Sequence, residues 1–247
     1  ELVKGVLATM AELAASGIRT LSLDVTDDTS LQAAVDQIIA ETGRIDVLVN
    51  NAGYGSYGAI EDTAIDEARR QFDVNVFGAM RLTQLVLPHM RAQRAGTIVN
   101  ISSMGGKIYT PLGGWYHGTK FALEALSDAL RLEVQGFGID VVIIEPGGIA
   151  TEWGGIAAEN VLTTSGSGAY AAQAAAVAKT LGSPAAAQRD SSPWVVANAI
   201  GRAVTARRPK TRYAIGFGAK PLIALRWLLP DRAFDALIRL ATGTPRR

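Results

Sequence analysis

The sequence predicts an α/β fold with a doubly wound parallel sheet, on three observations. Short runs rich in β-branched residues recur at 3–8, 18–25, 45–50, 97–102, 139–145 and 212–215, as buried strands do. Helical patterns lie between them at 30–42, 65–87, 116–134 and 193–207. Strands alternating with helices need crossover connections, and these stack helices on the faces of a parallel sheet. The 247 residues suit one such domain with a large core, and no internal repeat divides them.

Taken in order, each element has its own stop signal. The pattern at 30–42 runs into Gly43, that at 65–87 into Pro88, and that at 116–134 into Gly136. The run at 139–145 ends in Pro146-Gly147. Residues 151–192 break the alternation; they are rich in Ala, Gly and Ser, follow a strand end, and are expected to form a substrate lid. A C-terminal tail at 219–242 is expected to be helical and split by Pro230. One link does not fit. Only nine residues, 9–17, join the first two runs, too few for a turn and a covering helix, so a segment of the fold is expected to be missing between Thr9 and Met10.

Composition narrows the chemistry. Lys plus Arg (24) and Asp plus Glu (23) nearly cancel, so no overall field draws nucleic acid. The absence of cysteine excludes disulfides and thiolate chemistry, and His89 and His117 make a poor metal cluster, so no metal is expected. No apolar stretch approaches the ~18 residues that span a bilayer, and a cytoplasmic protein is the expectation.

A literal Gly-x-Gly-x-x-Gly stands at Gly53, Gly55 and Gly58, with Asp73 twenty residues on. It is not a dinucleotide fingerprint, because the next helical pattern opens only near Ile65 and the fingerprint must open a helix directly. The same stretch, Asn50-Asn51-Ala52-Gly53, still lets backbone approach a ligand. Tyr116 and Lys120 are an i,i+4 pair sharing a helix face, and Ser103 lies 13 residues upstream of Tyr116. An ammonium near a phenol lowers its pKa from about 10, so such a trio suits proton exchange with a carbonyl oxygen.

These motifs together carry a resemblance. Leu23-Asp24-Val25, Asn50-Asn51-Ala52-Gly53, Asn75, Ser102-Ser103, Tyr116-x-x-x-Lys120 and Pro146-Gly147 with Thr151 stand in the order seen in the short-chain dehydrogenase/reductase family. The chain resembles that family over about residues 3 to 151, and most resembles its steroid- and retinol-dehydrogenase-like branch. It departs at the front: the family's Thr-Gly-x-x-x-Gly-x-Gly loop, helix and second strand are not found after Val6-Leu7-Ala8-Thr9.

The resemblance implies a Rossmann-like fold and an NAD(P)-dependent oxidoreductase interconverting a ketone or aldehyde with an alcohol. It implies Tyr116 as general acid/base, Lys120 as its pKa modulator and ribose ligand, Ser103 as the substrate-oxygen donor, and Asn75 as holder of a water leading to Lys120. Cofactor contacts are expected from Asp24, Val25, Asn51, Ala52, Gly53, Tyr116, Lys120, Pro146, Gly147, Ile149 and Thr151. NADP is favoured over NAD by family analogy. Met104, Tyr109, Leu112, Trp115, Ile149 and Trp153 are expected to wall a site for a hydrophobic small molecule. His89 and His117 are read as structural. A homodimer or homotetramer is implied through the helices carrying Asn75 and Tyr116. The basic, apolar tail could touch a membrane, although packing on its own fold or on a second subunit is favoured. The rival reading is a catalytically silent dinucleotide-binding regulatory protein.

Overall fold

The computed structural model describes residues 12–245. Four strands, β1 (Val47–Asn50), β2 (Gly96–Ile101), β3 (Ile139–Pro146) and β4 (Arg212–Ile215), form one parallel sheet in the order β1-β2-β3-β4. Register pairs Leu48 with Ile98, Ile98 with Val141, and Ile144 with Tyr213. Successive residues of a strand face opposite sides of the sheet. Ile98 and Val141 therefore meet one layer, α1 (Asp28–Thr42), α3 (Ala79–Gln93) and α4 (Gly114–Val134), through Val35, Val86, Met90, Leu130 and Val134. Val99, Val142 and Ile144 meet the other layer, Ala199 and Ala203 of α8 (Trp194–Thr205). Both faces of β2 and β3 are thus covered, as their run-on hydrophobic sequences require.

Local chemistry sets the boundaries. Asp27 caps α1 by accepting from the Thr29 N–H at 2.9 Å, and Gly43 (φ 72) closes it. The pattern expected at 65–87 is three pieces: α2 (Ile65–Phe72), a π-helical turn (Asp73–Gly78) and α3, which continues through Pro88 to Gln93. Proline was expected to stop it, but the ring only orphans the carbonyl one turn back, at Gln84, and both positions are exposed, where an unpaired carbonyl costs little. Residues 151–192 fold as α5 (Trp153–Ser165), α6 (Ala171–Leu181) and α7 (Pro184–Arg189). The tail is helical and split as expected, into α9 (Ala219–Leu228) and α10 (Asp231–Thr242), with Pro230 capping the second. Phe234 and Ile238 of α10 pack with Ile108 on the chain's own fold, while Trp227 and Leu240 stay exposed.

Two expectations at the front fare differently. The run at 18–25 is not a strand: after a helical turn closed by Gly17 (φ 81), residues 18–24 join no ladder, because no described neighbour pairs with them. The run at 3–8 and the junction of Thr9 with Met10 lie outside the described residues. One face of β1 is also open, with Val47 39% and Val49 36% exposed. Among the described residues, no helix is long and apolar enough to cross a membrane.

Candidate active site

The site forms at the C-terminal ends of the strands, where backbone leaves the sheet and side chains converge. After β2, Ser103 adopts an extended backbone and its Oγ accepts from the Gly105 N–H at 3.0 Å, capping a 3₁₀ turn (Met104–Gly106). The Ser103 hydroxyl acts on the Tyr116 phenol, pulling its pKa down, and lies 3.5 Å from the Pro146 carbonyl oxygen. Tyr116 and Lys120 occupy the first turns of α4, both buried. The Lys120 Nζ donates to the Ile101 carbonyl at 2.9 Å and stands 6.0 Å from the Tyr116 ring centroid.

Asn75 lies in the π-helical turn, fully buried, with every polar atom engaged. Its Oδ1 accepts from the Tyr54 N–H at 3.0 Å, and its Nδ2 donates to the Tyr54 carbonyl at 2.8 Å and the Thr119 hydroxyl at 3.1 Å. Gly53 sits between Asn75 and Lys120: a Cβ there would lie 3.0 Å from Asn75 Oδ1 and 3.6 Å from Lys120 Nζ. The four expected catalytic positions therefore meet.

Burial shapes the electrostatics. It pushes the Tyr116 phenol above its ordinary value, and the Ser103 hydrogen bond only partly offsets this. The lowering expected from Lys120 is not among the causes of this shift, which burial dominates because removing phenolate from water is costly. Burial also lowers Lys120 to about 8, with Glu124 pulling the other way. At neutral pH the pair is a phenol beside an ammonium.

The expected cofactor contacts divide into two groups. Asn51, Ala52 and Gly53 form an exposed turn directly after β1, and Pro146, Gly147, Ile149 and Thr151 leave β3 beside Ser103. Gly147 is needed sterically, since a Cβ would fall 2.1 Å from the Phe217 carbonyl oxygen. Gly147 and Gly148 donate to the Ile215 and Phe217 carbonyls at 2.8 and 2.9 Å, fixing this turn. Thr151 lies at the foot of α5, 3.5 Å from the Ile149 carbonyl oxygen. Asp24 is spent locally: its carboxylate accepts from the Thr26 N–H and hydroxyl at 2.8 and 2.7 Å, which holds its pKa down. Val25 packs on Gly78 of the π-helical turn, where a Cβ would meet its carbonyl oxygen.

The expected walls also divide. Trp153 and Leu112 surround Tyr116, with the Trp153 ring 5.3 Å from it, whereas Tyr109 and Met104 pack on Phe234 and Ile238 of the tail. Tyr57 was missed; its ring lies 5.8 Å from Tyr116 and 5.7 Å from Trp153. An aromatic inside a glycine-rich strand-end loop was the signal for it. Gly55 and Gly58 serve that packing, since Cβ atoms there would strike Trp153 and Thr164 at 2.6 and 2.4 Å. His117 is structural as expected: its Nε2 accepts from the Thr110 N–H at 3.0 Å, so Nδ1 donates to the Gly105 carbonyl at 2.9 Å, and burial keeps it neutral. Also missed was a buried amide ladder behind the site. Asn50 donates to Asn100 at 2.8 Å and Asn100 to Ser127 at 2.8 Å, locking β1, β2 and α4 together.

With that geometry in view, the comparisons decide the family. A family profile described as short chain dehydrogenase matches residues 2–161. The chain belongs to the short-chain dehydrogenase/reductase family. Relatives include a probable short-chain type dehydrogenase/reductase of Helicobacter pylori, 37% identical over 220 residues, covering 89% of this chain and 80% of the relative. An NADPH-dependent 3-dehydrocapnine reductase of Ornithobacterium rhinotracheale is 36% identical over 229 residues, covering 88% and 78%. A crystal structure of a short-chain dehydrogenase from Streptomyces avermitilis aligns with TM-score 0.74 at 33% identity, over 95% of this chain and 85% of that one.

Proposed function

We propose that this oxidoreductase interconverts a hydrophobic ketone or aldehyde with its alcohol, using a nicotinamide dinucleotide and Tyr116 as general acid/base. The observation that carries this reading is the convergence of Ser103, Tyr116 and Lys120, with Lys120 Nζ 6.0 Å from the Tyr116 ring and the Ser103 hydroxyl acting on its phenol. A silent regulatory protein would have no use for a buried phenol held that way.

The residues present fit the nicotinamide end of such a cofactor. Gly53 leaves open the space its Cβ would fill beside Asn75 and Lys120, and Lys120 uses one of three N–H donors on Ile101. Lys120 would hold the ribose hydroxyls, and the Pro146–Thr151 turn the carboxamide. When bound, the cofactor supplies or accepts the hydride. The chain's own residues handle the proton. Tyr116, kept protonated by burial, donates to the carbonyl oxygen in reduction; Ser103 donates to the same oxygen as charge develops there, a contact stronger in the transition state than before it. The Lys120 ammonium steadies the phenolate left behind. Asn75 fixes the Tyr54 backbone and Thr119 next to Lys120, and a water held from that side would return the proton.

NADP is the proposed preference, supported by the NADPH dependence of the Ornithobacterium relative. Tyr57, Leu112 and Trp153 around Tyr116 support a hydrophobic substrate. α5 and α6 roof Tyr116 through Ala157, Val161, Ala174 and Val177, which supports residues 151–192 as the lid. Exposed Phe77, Phe121 and Leu132 on the helices carrying Asn75 and Tyr116 support a homo-oligomer; a monomer in sedimentation would overturn that. A panel of ketones, aldehydes and alcohols with each cofactor tests the function, read by absorbance of the reduced nicotinamide. Turnover of an apolar carbonyl is expected; no turnover with either cofactor on any substrate contradicts the reading.

A further inference from the structure

One turn beyond Lys120 on α4, an acid pair is buried where the proposed chemistry makes no use of it. The Glu124 and Glu145 side chains are each only 4% exposed. Glu124 Oε2 takes Lys107 Nζ at 2.8 Å and Arg212 Nη2 at 3.0 Å, while Glu145 Oε1 lies 3.2 Å from Arg212 Nε, too poorly aligned to be a hydrogen bond. Arg212 is shared again, since its Nη2 also pairs with Asp128 at 2.5 Å, and Asp128 takes Arg131 as well. Two cations, Lys107 and Arg212, thus serve three carboxylates, and Arg131 reaches only Asp128.

The hydrogen-bond tally points the same way. Glu124 Oε1 and Glu145 Oε1 are buried without a donor, and the neighbouring Ser102 hydroxyl is unpartnered too. Both carboxyl groups lie against the Arg212 guanidinium, Glu124 Oε2 at 3.0 Å and Glu145 Oε1 at 3.2 Å, so two buried acids share one cation. A buried polar atom left without a partner is costly, and a proton on one acid supplies a donor where the pair otherwise has none.

We propose that Glu145 keeps a proton beside the Glu124 carboxylate and that the two act together as a positioning pair for Lys120, holding one negative charge behind it at acid pH and two once the Glu145 proton is released to solvent. Lys120 and Glu124 share a helix face one turn apart, and the Glu124 charge pulls the Lys120 pKa up; on this proposal the charge released on Glu145, behind Glu124, adds to that pull. Burial and repulsion from Glu124 raise Glu145 to about 7, against the pull of Lys107 and Arg212, so release falls near neutrality. The importance of Lys120 rests on the function proposed above, but the pair itself does not.

Infrared difference spectra of the intact wild-type chain, taken between about pH 6 and about pH 9, test the Glu145 proton without needing turnover. A protonated-carboxyl stretch that disappears across neutrality, and is missing in Glu145→Gln, is expected; no titrating carboxyl band in the wild type overturns the pair. The link to Lys120 is read by nuclear magnetic resonance titration of isotope-labelled lysine. In Glu145→Gln the Lys120 midpoint should fall by roughly half a unit to one unit, the size of a nearby-charge effect. An unmoved midpoint overturns the positioning role. Should Glu145→Gln fail to fold, Arg212→Lys weakens the same hub and should raise the pH at which the band is lost; a band lost at the wild-type pH overturns the pair.

Discussion

Lys120 illustrates a side chain that the fold tolerates for its chemistry. Its folded pKa is about 8 against 10.5 for the free group, because burial disfavours the ammonium. Below the folded value both states carry the charge and the fold bears the whole burial cost. As pH rises from 8 towards 10.5 the folded chain loses the proton first, the unfolded chain holds more protons, and stability rises. The gap corresponds to about 3 kcal/mol at most. Measured against Lys120→Met by denaturant unfolding, the wild type should gain stability over that window; a flat difference contradicts the buried-ammonium assignment. The identities of Ser103, Tyr116, Lys120 and Asn75 were legible in the sequence because their spacing is local or family-wide. The direction of the Tyr116 shift was not, because it depends on burial, to which Tyr57 and Trp153 contribute from a loop and from α5, both distant in sequence.

At the scale of elements, the helices and the four paired strands were legible from period and stop signals. The π-helical turn was not: no composition marks one extra residue per turn, yet it is what aims Asn75 at Tyr54 and Thr119. The helices at 153–189 were obscured by small residues that carry little periodic contrast, although Ala157, Ala174 and Ala178 are what let α5 and α6 lie close. That closeness is testable at Gly58, where a side chain meets Thr164 Cγ2 at 2.4 Å and Thr63 Oγ1 at 2.9 Å. Gly58→Val is expected to cost about 1–3 kcal/mol, the usual range for overpacking, in chemical denaturation. Unchanged stability would mean that the roof is not packed on this loop.

For the whole molecule, the described residues form a sheet that runs from β1 to β4, with no strand among them beyond β1. A parallel sheet is normally covered on both faces, so half-exposed Val47 and Val49 agree with the short 9–17 link in implying that a layer is missing. We propose that a glycine loop, helix and strand belong between Thr9 and Met10. A chain restored there should bind the dinucleotide more tightly and melt roughly 4 °C or more higher, the shift expected for burying about two valines in a domain of this size; equal melting and affinity would contradict the missing layer. The central claim is proton transfer by Tyr116, and the most direct measurement is steady-state turnover of Tyr116→Phe beside dinucleotide affinity by fluorescence titration. The expected result is a loss of kcat of roughly 10²–10⁴-fold with affinity nearly unchanged. Retained turnover in that variant would contradict the mechanism outright.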